Sequence, residues 1–212
     1  EDGIRFYASG IGETHSSRNL LSQAAAWADE TAHMRTVERM YRMRFDEPLP
    51  ERMTLRQIRG LEGVRVRDAY ARASRETGVT WSGRNYRRGS WQNADPINRA
   101  LSAGFTCVYG ICHAAIVSLG YSPALGFIHT GKQLSFVYDI ADLYKTQLVV
   151  PTAFAVTAES DRRVEGRVRE RLRDEFRTAR LLERIVDDLS SLFDAPADEN
   201  LNDEDMLSLI HI

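Results

Sequence analysis

Apolar residues recur at three- and four-residue spacing through most of this chain, as they do in amphipathic helices packed on a shared core. One such pattern runs from Arg18 to about Arg44 and predicts a single long helix, which Pro48 and Pro50 break. A second runs from Thr54 through Glu76, with Leu55, Ile58, Leu61, Val64 or Val66, and Ala69 on its inner side and Gly78 as its stop. Asp95-Pro96 starts a third, with an acceptor at the cap and proline at the first helical position. That helix carries Ile97, Leu101, Phe105, Val108 and Ile116 to a stop at Gly120. It is apolar nearly all round, which predicts the central core helix. Leu134 to Tyr144 reads as a buried helix, and Pro151 opens a short helical segment. Asp161 to Leu192 predicts one long, charge-laced helix with Val164, Val168, Leu172, Phe176, Leu181, Ile185 and Leu189 inward.

Two stretches depart from helical periodicity. Gly3 to Ala8 reads as a strand, followed by a polar loop from Gly10 to Ser16, and Trp81 to Ser90 is a loop rich in glycine, arginine and aromatics. The expected architecture is a mainly α domain over residues 11–193. A remnant of β structure and a linker precede it at 1–10, and an acidic, loosely ordered tail follows at 194–212. The chain opens on Glu1 rather than methionine, so its natural beginning is expected upstream.

Composition narrows the class. With 212 residues, 43% of them apolar, the chain can bury a real core. No uninterrupted apolar run reaches the length of a membrane span, and no signal peptide is visible, so a cytoplasmic protein with no membrane partner is expected. Cys107 and Cys112 lie five apart on a helix, facing roughly opposite ways, which argues against a disulfide or a zinc site. The net charge of −2 hides an asymmetry: nearly every base is arginine, and lysine occurs only at Lys132 and Lys145. Arginine forks onto phosphate oxygens in a bidentate way, whereas lysine acts as a point charge.

The candidate chemistry sits in Gly126-Phe127-Ile128-His129-Thr130-Gly131-Lys132 and the helix that follows. Asp139 and Asp142 are three apart in an apolar helix, so both carboxylates project from one side. Burying them requires pairing, hydrogen bonds or a metal. A third carboxylate, Glu62, stands between Gly60 and Gly63 in an otherwise good helix, where each glycine weakens the helix by roughly 1 kcal/mol relative to alanine. Such glycines are expected where another backbone or a ligand comes close. Alone, Glu62 could equally pair with Arg59 or Arg65. Together, two hard oxygens and one imidazole suit Mg²⁺ or Mn²⁺ with positions left open for a phosphate oxygen. Arg84, Tyr86, Arg87, Arg88 and Trp91, with Lys132 beside His129, could stack bases and hold phosphates, or the aromatics could simply pin a loop to the core.

The strings Gly60 to Arg67, Gly78 to Tyr86 and Gly126 to Lys132, with Leu134 to Asp142, resemble the CRISPR-associated Cas1 integrase family, in its type I-E branch. The similarity runs in order from Gly3 to about Leu189. It implies a helical catalytic domain following an N-terminal β-sandwich, of which this chain would retain only the last strand. It implies Glu62, His129 and Asp142 as ligands of Mg²⁺ or Mn²⁺, with Asp139 as an auxiliary carboxylate. Tyr86, Trp91 and Tyr109 would line the DNA groove, Lys132 would sit beside the ligand histidine, and Arg5 would face DNA near the domain junction.

The implied activity is metal-dependent endonuclease and integrase chemistry in CRISPR adaptation. A protospacer duplex with 3′ overhangs, carried by paired Cas1 subunits flanking a Cas2 partner, would be joined to the CRISPR repeat by 3′-hydroxyl attack on a phosphodiester. One departure from the family pattern is Phe105, where a small hydroxyl residue is often found. The competing readings are a catalytically silent DNA-binding scaffold of the same fold and a hydrolase of small phosphate esters.

Overall fold

The computed structural model describes residues 17–45, 47–50, 52–84 and 94–193, and among them every regular element is helical. The expected strand at 3–8, the remnant at 1–10 and the tail at 194–212 lie outside the described residues. The mainly α reading holds for the rest.

In chain order the helices are α1 (Arg18–Ala28), α2 (Glu30–Phe45), α3 (Leu55–Thr77), α4 (Pro96–Ser118), α5 (Ser135–Tyr144), α6 (Val150–Glu159), α7 (Val164–Thr178) and α8 (Leu181–Leu192). A π turn over Lys145–Val149 joins α5 to α6 without a break in helical direction. Pro151 is the second residue of α6, directly after the π turn. Thr54 and Gln57 form a capping box at the start of α3, and Gly78, at φ 72, closes it in the left-handed region. Asp95 caps α4 through the amide of Asn98.

Two long sequence patterns resolve into pairs of helices. The pattern from Arg18 to Arg44 breaks at Asp29, whose backbone is extended (φ −91, ψ 120). Its carboxylate accepts the amide of Ala32 at 2.7 Å, so Asp29 ends α1 and caps α2. The pattern from Asp161 to Leu192 likewise breaks into α7 and α8, because Arg180 adopts φ 48. Periodicity survives both breaks, since the helices on either side still bury one stripe each.

α4 is the centre. It is long and apolar enough, by length and composition, to cross a membrane, with a hydropathy of 1.6 over its most apolar window. α5, α6, α7 and α8 all pack on it, and Leu101, Val108, Cys112 and Ile116 are fully buried there. Gly104 permits the closest approach: a Cβ at this position would stand 2.5 Å from Val149 and 3.0 Å from Leu172. Cys107 and Cys112 are both free thiols, one half-buried and one buried.

A second packing unit sets the position of the chemistry. Phe127 and Phe136 are fully buried and meet each other and Phe193 at ring-centroid distances of 5.6 to 6.1 Å. This aromatic knot anchors the loop between α4 and α5, which carries His129, against α5, which carries Asp139 and Asp142.

Candidate metal centre

Asp139 organises the site from beneath. It is 1% exposed, and its Oδ2 accepts the amides of Phe127 (2.6 Å) and Ile128 (3.1 Å). Its Oδ1 accepts the amide of His129 (2.8 Å) and meets His129 Nδ1 at 2.7 Å. Three consecutive backbone donors and one ring nitrogen thus converge on one buried carboxylate, which offsets its desolvation. The Nδ1 contact fixes the ring so that Nε2 points away from Asp139. Nε2 faces Asp142 Oδ2 across 4.0 Å. The hydrogen bond to Asp139 raises the pKa of His129, with burial opposing it and Asp142 adding to it.

The same loop is held from its other side by residues that sequence reading passed over. Gln23 is fully buried on α1 and donates to the carbonyls of Ser122 (3.0 Å) and Leu125 (2.9 Å), while its own carbonyl accepts the Ser122 amide (2.7 Å). Trp27 donates to the carbonyl of Gly126 at 3.2 Å, and His33 Nε2 lies 2.9 Å from that of Phe127. Arg59 on α3 reaches the carbonyl of Ile128. The signal that could have found Gln23 is a glutamine on the apolar side of α1, which demands partners once buried. Gly126 itself is forced by space: a Cβ there would lie 2.3 Å from the His129 carbonyl oxygen and 2.7 Å from Ser135.

Glu62 comes in from α3 and is buried, but its partner is neither Arg59 nor Arg65. Arg65 pairs with Glu47 instead. Arg44 Nη1, from the end of α2, stands 3.4 Å from Glu62 Oε1 and 3.7 Å from Asp142 Oδ2, so one guanidinium bridges two carboxylates. Burial raises the pKa of Glu62, with Arg44 pulling it down and Asp142 and Asp139 pushing it up. Lys145, one helical turn after Asp142, pairs with Asp142 Oδ1. Burial opposes the charge on Lys145, yet Asp142 and Tyr109 outweigh it and the pKa is raised.

Glu62, His129 and Asp142 therefore face one cleft of about 580 Å³, rimmed by Arg59, Arg84, Lys132 and Lys145. Among the described residues, no cluster of three or more Asp, Glu, His or Cys side chains stands close enough, as placed, to grip an ion. Arg44 stands between the Glu62 and Asp142 carboxylates, and Lys145 pairs with the other oxygen of Asp142. The donor set still fits a hard divalent cation, because both carboxylates already turn toward a shared positive charge and His129 presents its second nitrogen to the same side.

The other expected residues fall around this cleft with differing freedom. Lys132 is on the exposed rim, its ammonium 5.9 Å from the Tyr138 ring centroid. Arg84 is tied to α4 through Asn98 and Ser102, with its guanidinium 5.2 Å from the Phe105 ring. Tyr109 stands behind the wall, its ring 4.5 Å from the Lys145 ammonium. Phe105 gains a role from the structure, because Arg84 and Lys145 both lie over its ring at 5.2 Å. Gly60 and Gly63 do not accommodate any packed backbone: a Cβ at either would meet nothing within 4 Å, and Gly63 lines the open cleft. Trp81 stacks on Tyr70 at 4.6 Å, a core contact. Arg5, Tyr86, Arg87, Arg88 and Trp91 lie outside the described residues.

The family model for CRISPR associated protein Cas1 matches residues 10–175. The chain is 62% identical over 208 residues to the CRISPR-associated endonuclease Cas1 2 of Thermus thermophilus, covering 97% of this chain and 64% of that protein. It is 45% identical over 186 residues to the CRISPR-associated endonuclease Cas1 of Escherichia coli, covering 88% and 61%. The chain spans somewhat under two thirds of the length of these curated relatives. A solved structure described as a TtCas1–DNA complex superposes with a TM-score of 0.81 at 61% identity, covering 93% of this chain and 70% of that one. The chain belongs to the CRISPR-associated Cas1 family.

Proposed function

We propose that this chain carries the catalytic domain of a divalent-metal-dependent DNA endonuclease and integrase of CRISPR adaptation, of the type I-E branch. The observation that carries the reading is the Asp139–His129 pair, which aims His129 Nε2 into a cleft shared with Glu62 and Asp142. Relatives named as endonucleases, and a solved relative described in complex with DNA, support the same chemistry. The reaction is strand joining: the 3′-hydroxyl of a protospacer overhang attacks a phosphodiester of the CRISPR repeat. The new phosphorus–oxygen bond replaces the one that breaks, so no separate energy source is required.

Glu62, His129 and Asp142 would hold Mg²⁺ or Mn²⁺, which when bound supplies Lewis-acid polarisation of a phosphoryl oxygen. Asp139 touches none of the reactants. It keeps His129 in one tautomer and one orientation. Lys132 and Arg59 on the rim hold backbone phosphates, and Lys145 keeps Asp142 turned into the cleft. Tyr86 and Trp91 would steady the strand by stacking, Tyr109 would act from behind the wall by holding Lys145, and Arg5 would meet the duplex near the start of the chain. The DNA would be carried by a Cas1 dimer with Cas2.

A second reading, a silent DNA-binding scaffold, is favoured by one feature: Arg44 and Lys145 already neutralise the carboxylates. Strand joining separates the two. Full-length protein with Cas2 joins a 3′-hydroxyl duplex to a repeat target in Mn²⁺, and His129→Ala abolishes joining while leaving DNA binding within about threefold. Undiminished joining by His129→Ala overturns the ligand assignment.

A further inference from the structure

Arg44 bridges Glu62 and Asp142 in an unusual way for a buried arginine. Structural arginines bind carboxylates through two parallel donors at about 2.7–2.9 Å. Arg44 instead uses Nη1 alone for both partners, at 3.4 and 3.7 Å. Its side chain is 6% exposed, and its Nε is buried without a hydrogen-bond partner among the described residues. An unsatisfied buried donor is costly, so this side chain is held by charge and not by good geometry. Its guanidinium also lies 4.9 Å from the centroid of the Phe45 ring, and its backbone carbonyl accepts from Gln147. The backbone is anchored, and the Phe45 ring supports the guanidinium in the same position in which it bridges the carboxylates.

We propose that Arg44 is the resident counter-cation of the notch between Glu62 and Asp142, and that a divalent ion binds only by displacing it. The inference rests on the reading of these two carboxylates as ligands. Three carboxylates meet here, Glu62, Asp139 and Asp142, and Asp139 is satisfied by backbone amides. The remaining two would repel each other across the cleft without a cation between them. Arg44 supplies that cation and holds them in place. It therefore also competes with the metal, because the binding-competent arrangement exists only in the fraction of molecules whose arginine has swung out. Lys145 is not equivalent: it meets the other oxygen of Asp142, Oδ1, and leaves Oδ2 facing Arg44 and His129. On release, Arg44 stays at the cleft wall with its donors free for a phosphate oxygen, which couples metal entry to substrate binding.

The test is calorimetric titration of the whole chain with MnCl₂ at one fixed pH in wild type, Arg44→Met, Arg44→Gln, Arg44→Lys and Glu62→Ala. Arg44→Gln keeps polar donors without charge and guards against a misfolded methionine variant, and circular dichroism verifies the fold of each. Both neutral variants should bind Mn²⁺ about tenfold more tightly than wild type, with a larger Mn²⁺-induced rise in melting temperature. Arg44→Lys should stay within about threefold of wild type. Unchanged or weaker Mn²⁺ binding in both neutral variants overturns the displacement proposal alone. Wild-type affinity in Glu62→Ala overturns the ligand reading beneath it, whatever the arginine variants do.

Discussion

Removing the Asp139 carboxylate should cost this protein much of its stability before it touches the chemistry. The side chain is fully buried and satisfies the amides of Phe127, Ile128 and His129 and the ring of His129 at 2.6 to 3.1 Å. Asp139→Ala strands three backbone donors, two of them on buried residues, and each buried donor left without a partner costs about 1–3 kcal/mol. For the two buried amides the sum is roughly 2–6 kcal/mol, a large part of the margin of a typical domain. A chain of this size loses about 2–4 °C in melting temperature per kcal/mol, so a fall on the order of 10 °C or more is expected. Asp139→Asn keeps the shape and one acceptor but turns an amide donor toward other donors, and should fall in between. Asp142→Ala is the control, since its carboxylate is partly exposed and, among the described residues, meets the side chains of Arg44, Lys145 and His129 and no backbone amide. Thermal and urea unfolding by circular dichroism, with Mn²⁺ titration alongside, should separate the two positions. Asp139→Ala loses stability most, whereas Asp142→Ala loses metal binding most. If Asp139→Ala melts within about 2 °C of wild type, the amide cradle does not hold the histidine loop.

Gly126→Ala should destabilise by about 1–3 kcal/mol and weaken strand joining out of proportion, because the new methyl forces apart the His129 carbonyl and Ser135 backbone. Normal stability and joining would show that the loop yields freely. The pH dependence has a definite sign. Glu62 and His129 both have raised pKa values in the fold, so the folded state binds more protons than the unfolded chain. Their contribution is fully present below the unfolded pKa values and is lost as pH rises through the raised ones, first for Glu62 from above 4.5 and then for His129 from above 6.5. Metal ligation needs both groups deprotonated, so the rise in melting temperature caused by Mn²⁺ should grow across this window. A Mn²⁺ effect that is flat with pH, or that shrinks, would contradict the ligand roles of both residues.

Much of this fold was legible because helices announce themselves through periodic burial and caps. Thr54, Gly78 and Asp95-Pro96 mark helix ends that the structure places where the residues say. The breaks at Asp29 and Arg180 were not legible, since each is a single residue whose backbone turns while the apolar stripe continues through the next helix. His129, Asp139 and Asp142 were visible as polar residues in costly apolar surroundings. Arg44 and Gln23 were not, because their role depends on elements far apart in the chain: Gln23 meets Ser122, and Arg44 meets Asp142. A charged or amide side chain on a helix looks like ordinary surface until its long-range partner is known. The separate parts played by the two aspartates also needed coordinates. Spacing places both on one side of α5, but only the path of the histidine loop sends its amides to Asp139 and leaves Asp142 in the cleft.

The central claim is that Glu62, His129 and Asp142 form one divalent-ion site. The most direct test is a crystal of this chain soaked in MnCl₂ and measured at the manganese absorption edge. The expected result is a single strong anomalous peak in the cleft, coordinated by Glu62, His129 Nε2 and Asp142, with the Arg44 guanidinium moved out from between the carboxylates. A saturating soak that leaves the cleft without a peak and Arg44 in its bridging position, or a peak on other residues, would contradict the claim.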